Sequence, residues 1–176
     1  MFRLLIFFLF LVPSLYAQNN ISSVGSEIKK KDAEAILAHH NTVRNEVGAP
    51  PLTWSASLSA YAQKWAEYLA KKNNGVIEHR QRAGENGKQY GENIFWGSSA
   101  AVYPPVQASY EWYSEKKMYK YRKINNNNWH KTGHYSQMIW AATREVGVGV
   151  AVSANGAIIV VANYYPAGNV LNEFPY

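Results

Sequence analysis

Residues 145–165, "EVGVGVAVSANGAIIVVANYY", constrain the fold more than any other stretch of this chain. Apolar residues alternate on both sides of Asn155-Gly156. Asn-Gly between two such runs is a strong signal for a tight hairpin turn, because these residues tolerate the positive φ that the turn demands. A hairpin alone is marginal in water, so other segments have to cover it.

The pattern upstream is helical. Asp32 can cap a first helix in which Ile36, Leu37, His40, Val43 and Val47 recur at three- and four-residue spacing before Gly48. After the rigid "GAPPLTW" turn, a second helix starts at Ser55, with Leu58, Tyr61, Ala62, Trp65, Tyr68 and Leu69 on one face. Residues 75–92 read as irregular. A third helix follows Pro104-Pro105; its apolar face includes Val106, Tyr110 and Tyr113, with Trp112 and Tyr119 on an adjoining stripe. "NNNN" at 125–128 breaks it, and a short fourth helix runs from about His134 to Ala142. A coil tail follows the hairpin. Helices first and a hairpin last predict an α+β domain with helices over an antiparallel sheet.

Residues 1–17 read as a secretory signal: Arg3, nine unbroken apolar residues from Leu4 to Val12, then Pro13, Ser14 and the small Ala17. That run is too short for a comfortable bilayer span, so no stable transmembrane segment is expected after cleavage. The mature chain, 176 − 17 = 159 residues, is expected to be secreted or periplasmic. Residues 18–31 read as a flexible leader, and 32–176 as one domain. The chain contains no cysteine, which excludes disulfides, thiolate metal sites and a cysteine nucleophile.

Net charge is +6, a balance that favours anionic surfaces such as phospholipid head groups or envelope polymers. Lys116, Lys117, Lys120, Arg122, Lys123 and Lys131 concentrate part of it; a solvated helix face running into a loop accounts for them equally well. Nucleic acid is not an expected partner, since no reader motif is present.

The sequence has one aspartate, Asp32, so acid–base or metal chemistry falls to glutamate and histidine. Glu92 sits in "YGENIFWG" beside apolar bulk. Glu115 follows Trp112 by three residues and precedes Tyr119 by four, which puts it on their stripe. A carboxylate among aromatic rings needs a cation, a donor or a proton; a surface glutamate flanked by Lys116 and Lys117 fits the same spacing. His134 stands at a helix start, where the partial positive charge favours neutral imidazole, the form that binds metal. A capping or packing role fits it as well. His79 has no local argument beyond glycine-rich surroundings. His40 faces the interior as a hydrogen-bonded core residue, whereas His39 and His130 look solvent-facing. Ser98, Ser99 and Ser136 lack a nucleophile elbow, and neither H-E-x-x-H nor a phosphate loop is present.

Four segments in order resemble the motifs of the CAP superfamily, which takes in cysteine-rich secretory proteins, venom antigen five and plant pathogenesis-related class one proteins. They are "AHHNTVRNEVGAPPLTW" (38–54), "YGENIFWG" (90–97), "GHYSQMIWAATREVGVGVA" (133–151) and "IVVANYYPAGNV" (159–170). The resemblance implies a three-layer α–β–α sandwich with a central antiparallel sheet. It also implies a cleft holding His79, Glu92, Glu115 and His134, with zinc or another divalent cation on the two histidines and the glutamates as partners or additional ligands. Three departures stand out. Ala162 occupies a position where the family has cysteine, and the family's other disulfides are missing as well. The cysteine-rich extension of channel-blocking members is absent. The loop "YRKINNNNWHK" (121–131) is polar apart from Trp129, which counts against sterol binding.

The expected function is a secreted binding domain with a divalent cation in its cleft. Its partner is a lipid, glycan or envelope polymer, met through Trp129, Lys120, Arg122 and Lys123. The alternatives are a metal-dependent hydrolase in which Glu92 or Glu115 activates a water, and an interaction scaffold with no metal.

Overall fold

The computed structural model describes residues 21–72, 77–81 and 84–176; the signal expected at 1–17 lies outside them. Four α-helices are present among the described residues: α1 Lys30–Asn45, α2 Ala56–Lys72, α3 Gln107–Ser114 and α4 Gly133–Met138. The strands are β1 Thr53–Trp54, β2 Gly84–Glu85, β3 Lys88–Gln89, β4 Gly91–Gly97, β5 Glu145–Val152 and β6 Ile158–Tyr165. The main sheet runs β1-β5-β6-β4, and β2 and β3 form a separate small hairpin. Every pairing in the main sheet is antiparallel except the two-residue β1–β5 contact, which is parallel.

Alternation along β6 builds the layers. Ile158, Val160, Ala162 and Tyr164 face a core shared with α1, α3 and α4. Ile159 and Val161 face α2 and meet Ala62, Ala66, Leu69 and Ala70. Both faces of the strand are covered, so the chain is a three-layer sandwich. Ala162 is fully buried between β4 and β5, opposite Asn93 and Val148, so packing fills the position where the resemblance implies a cysteine.

β5 carries the outer edge that the short β1 leaves open, and side chains close it. Beyond the β1 contact, Ser59 Oγ accepts from Val148 N (3.1 Å) and Ser26 Oγ donates to Val148 O (2.7 Å). Gln63 then pairs with Val150 like a strand, its Oε1 accepting from Val150 N (3.0 Å) and its Nε2 donating to Val150 O (2.9 Å). A covered edge cannot recruit another chain.

Several elements differ from expectation. Helix α1 begins two residues before Asp32, behind Lys29, because a leader that packs sets where it starts. Residues 21–29, expected within a flexible leader, are seated on the domain: Ile21 and Ile28 are buried, and Trp54 Nε1 donates to Val24 O at 3.0 Å. The third helix ends at Ser114, leaving Glu115 in a 3-10 turn, Glu115–Met118. It buries Ala108, Ser109 and Trp112 and leaves Tyr110 exposed, so the buried stripe is rotated from the expected one. Tyr68, expected on the apolar face of α2, is also exposed, stacked on Trp65. The fourth helix stops at Met138, four residues short of Ala142.

A buried cation explains that early stop. Arg44, fully buried on α1, donates to Met138 O (2.8 Å), Trp140 O (2.9 Å), Thr143 O (3.0 Å) and Pro50 O (2.6 Å). Carbonyls at a helix end lack intrahelical donors, and the guanidinium fork supplies them. Burial, and then the nearby Arg144, push Arg44 down to about 10, so it stays charged at neutral pH. No helix among the described residues is long and apolar enough to cross a membrane.

Candidate functional site

Between the start of β4 and the start of α4 lies a cleft of about 480 Å³ lined by His79, Arg80, Glu92, Asn93, Trp129, His130, Gly133, His134 and Asn169. Residues 91–97, the first two of which fell in a stretch expected to be irregular, form β4, and its Glu92 and Asn93 line the cleft. Polar Glu92 and Asn93 sit opposite Asn163 and Ala162 of β6 and hide the strand's apolar alternation. Their hydrogen bonds make burial tolerable.

Each histidine is held by one carboxylate. His79 Nδ1 lies 2.9 Å from Glu92 Oε1, which also accepts from Arg80 N at 3.0 Å. His134 Nδ1 lies 2.7 Å from Glu115 Oε1, while Glu115 Oε2 accepts from Tyr135 N at 3.0 Å. A carboxylate can only accept, so Nδ1 carries the proton in both rings and Nε2 keeps its lone pair when the ring is neutral. Glu92 is almost wholly buried, its side chain 5% exposed. Its Oε2 has Asn163 Nδ2 at 3.5 Å, and Asn163 Nδ2 also reaches Gly91 O at 3.1 Å.

The structure therefore brings His79, Glu92 and His134 to one cleft, with Glu115 behind His134. Trp129 joins them, exposed and tilted against His130 with ring centroids 4.1 Å apart. Lys120, Arg122 and Lys123 do not line it. His130 is solvent-facing as expected, and it also forms part of the cleft wall. His39 corrects its expectation. It is half-buried, 2.7 Å from Ser109 Oγ and packed on Tyr110 and Tyr113, because α3 lies against that face of α1.

Sequence reasoning missed Arg80, Asn93 and Asn169 as cleft residues. Asn169 has a positive φ of 56°, a backbone region that asparagine enters more readily than most residues. That conformation lets Nδ2 donate to Gly133 O (2.8 Å) while Oδ1 accepts from Ser136 Oγ (2.6 Å). The segment after β6 thereby latches the start of α4, and with it His134. On the inner side, Asn93 Nδ2 donates to His134 O at 3.1 Å. Asn169→Ala removes both latch bonds and is expected to lower stability by about 2 kcal/mol in urea denaturation, at about 1 kcal/mol for each hydrogen bond. The His134 ring resonances should broaden as its helix start loosens.

Two imidazoles with fixed Nδ1–H groups make a donor set that suits a borderline cation, since a metal-bound histidine commonly gives its other N–H to a carboxylate. No group of three or more His, Cys, Asp or Glu among the described residues could hold a metal. A bound cation would thus keep positions for water or ligand.

The cysteine-rich secretory protein family (CAP) matches residues 37–164. Pathogenesis-related protein 1C of Nicotiana tabacum is 35% identical over 172 residues, covering 98% of this chain and 90% of its own length. Golgi-associated plant pathogenesis-related protein 1 of Homo sapiens is 35% identical over 150 residues, covering 85% and 92%. Among solved structures, NaASP2 with Zn2+ superposes with a TM-score of 0.72 at 23% identity, covering 85% of this chain and 86% of that one. BmVAL-1 gives 0.74 at 24% identity, covering 89% and 86%.

Proposed function

Because this chain belongs to the CAP family, we propose that it is an exported binding domain whose cleft holds a divalent cation on Nε2 of His79 and His134. The observation behind this reading is the pair of carboxylate contacts, 2.9 and 2.7 Å, that fix both rings through Nδ1 in a single cleft. The cation supplies Lewis acidity toward a ligand oxygen. The residues of the chain do the rest: Glu92 and Glu115 orient the rings, while Trp129, Asn93 and Asn169 border the space left for a ligand. The zinc of NaASP2 belongs to that protein, and its fold is the one found here.

Binding is better supported than hydrolysis. Both oxygens of Glu115 and Oε1 of Glu92 already accept from an imidazole or a backbone N–H, which leaves only Glu92 Oε2, 3.5 Å from Asn163 Nδ2, to act on a water. The proposed partner is a lipid, glycan or envelope polymer outside the cytoplasm.

Calorimetry with zinc tests the metal. Wild type is expected to bind, and His79→Ala/His134→Ala is expected to lose the heat. Glu92→Gln and Glu115→Gln should each weaken binding by about 10–100-fold, the usual effect of removing a carboxylate behind a metal-bound histidine. Equal zinc binding by wild type and the double histidine variant removes the cation from the proposal.

A further inference from the structure

Away from the cleft, the segment before the asparagine loop lies against the last residues of the chain. Ile124 N donates to Glu173 O (2.9 Å) and Asn172 N donates to Ile124 O (2.8 Å). This pairing stacks Tyr121 on Phe174, ring centroids 5.0 Å apart, and sets it 4.7 Å from Tyr176. The three rings cover one another only in part: Tyr121 is 53% exposed, Phe174 45% and Tyr176 38%. Leu171, beside Asn172, is 51% exposed. None of the four lines the cleft.

The side-chain charge around these rings is mainly positive, with exposed Glu173 beside Phe174 as the acidic exception. Lys120, Arg122 and Lys123 are exposed, and Lys123 Nζ lies 5.7 Å from the Phe174 ring centroid. No aspartate or glutamate occurs between Glu115 and Glu145, or between Glu145 and Glu173. Lys72 and Lys116 each sit in an ion pair, at 2.6 and 2.7 Å. Lys120, Arg122 and Lys123 take part in no ion pair among the described residues.

We propose that Tyr121, Leu171, Phe174 and Tyr176, rimmed by Lys120, Arg122 and Lys123, form a docking face for an anionic phospholipid bilayer. The proposal rests on the reading of this chain as an exported binding domain and names its partner; it does not need the cation. The chemistry has two parts. Phenolic rings settle at the depth of lipid head groups, with an apolar body inward and the hydroxyl on a polar partner. The Tyr121 hydroxyl donates to Tyr176 O, while Phe174 and Leu171 add apolar area with no polar partner to satisfy. Unpaired Lys and Arg beside them meet head-group phosphates at about 1 kcal/mol each. Either part alone gives weak attachment, and the two together give a stable one. A wholly polar glycan would match the cations and leave Phe174 and Leu171 facing water.

The test uses sedimentation of the mature chain with phosphatidylcholine vesicles, with and without phosphatidylglycerol, in EDTA so that the cleft cation plays no part. Binding is expected to the anionic vesicles alone and to fall as salt rises. Lys120→Gln/Arg122→Gln/Lys123→Gln is expected to weaken partition about a hundredfold, at about 1 kcal/mol per cation. Tyr121→Ser/Phe174→Ser is expected to weaken it at least about tenfold through lost apolar burial. Because the sequence has no cysteine, Phe174→Cys takes a single environment-sensitive dye, which should shift to the blue on anionic vesicles only. All variants lie at exposed positions, and circular dichroism confirms that they fold. Equal binding to uncharged vesicles, an unchanged partition of either multiple variant, or an unshifted dye overturns the proposal. Failure here with intact zinc calorimetry removes the membrane and keeps the cleft.

Discussion

Gly149→Val is expected to yield no folded protein at ambient temperature, whereas most single changes cost a fraction of the stability. Strand β5 presents Gly147 and Gly149 to α2, and the helix lies so close that no side chain fits between them. A Cβ on Gly149 would stand 2.3 Å from Gln63 N and 2.4 Å from Gln63 Cα; one on Gly147 would stand 2.3 Å from Ser59 N and 2.5 Å from Leu58 C. These are backbone atoms, so no rotamer change relieves the clash and α2 as a whole has to move outward.

That movement has further costs. Ser59 and Gln63 hold the edge of β5 through Val148 N, Val150 N and Val150 O, and all three bonds lengthen together. The small seam of Ala62, Ala66 and Ala70 also parts from Ile94, Ile159 and Val161. Overpacking costs about 1–3 kcal/mol or more, and each lost hydrogen bond about 1 kcal/mol. Their sum of about 5 kcal/mol reaches the lower range of a whole domain's stability. Gly48→Ala serves as the comparison. Its φ of +70° is strained for alanine, yet nothing lies within 4 Å of the added carbon, so only about 1–2 kcal/mol should be lost in urea denaturation. Equal midpoints for the two variants would show that α2 has room to give.

Those glycines also mark how far the sequence could be read. Alternation across 145–152 was legible as a strand, but a glycine says nothing of which element approaches it. Strand β4 was hidden because Glu92 and Asn93 break its apolar run, and only a partner strand carrying Asn163 and Tyr164 explains polar groups there. Ile21 and Ile28 lie in a polar context with no period, so their burial depends on a surface made by distant elements. The cleft residues His79, Glu92 and His134, and Glu115 behind them, came from family resemblance; spacing alone left each open between site and surface. Arg80 and Asn169 could not be read as cleft residues because they arrive from loops whose direction is set by tertiary packing.

His40 was expected in the core, and its surroundings make the protein acid-sensitive. The ring is fully buried on α1. Nδ1 donates to Ile36 O at 2.9 Å, with Ser109 Oγ 3.1 Å away, and Nε2 accepts from the Tyr164 hydroxyl at 2.9 Å. That hydroxyl oxygen in turn accepts from Asn93 Nδ2 at 3.2 Å. A proton on Nε2 would turn its acceptor into a donor and strand the Tyr164 hydrogen. Burial, with His39 and Arg44 adding repulsion against the Ile36 hydrogen bond, pulls His40 down to about 3. The unfolded chain protonates this histidine near 6.5, so below that pH it binds a proton that the folded state refuses. Stability is therefore complete above about 6.5 and falls as pH drops toward about 3, by about 1.4 kcal/mol per pH unit. His39 is also lowered, chiefly by its own burial, and acts in the same direction. An ordinary glutamate titrates near about 4.3, so urea midpoints measured between pH 6.5 and 5 report mainly on the histidines. His40→Gln is expected to be less stable at neutral pH through its lost bonds, yet to show a slope shallower by about 1.4 kcal/mol per unit. A variant that keeps the wild-type slope would move the acid sensitivity to another group.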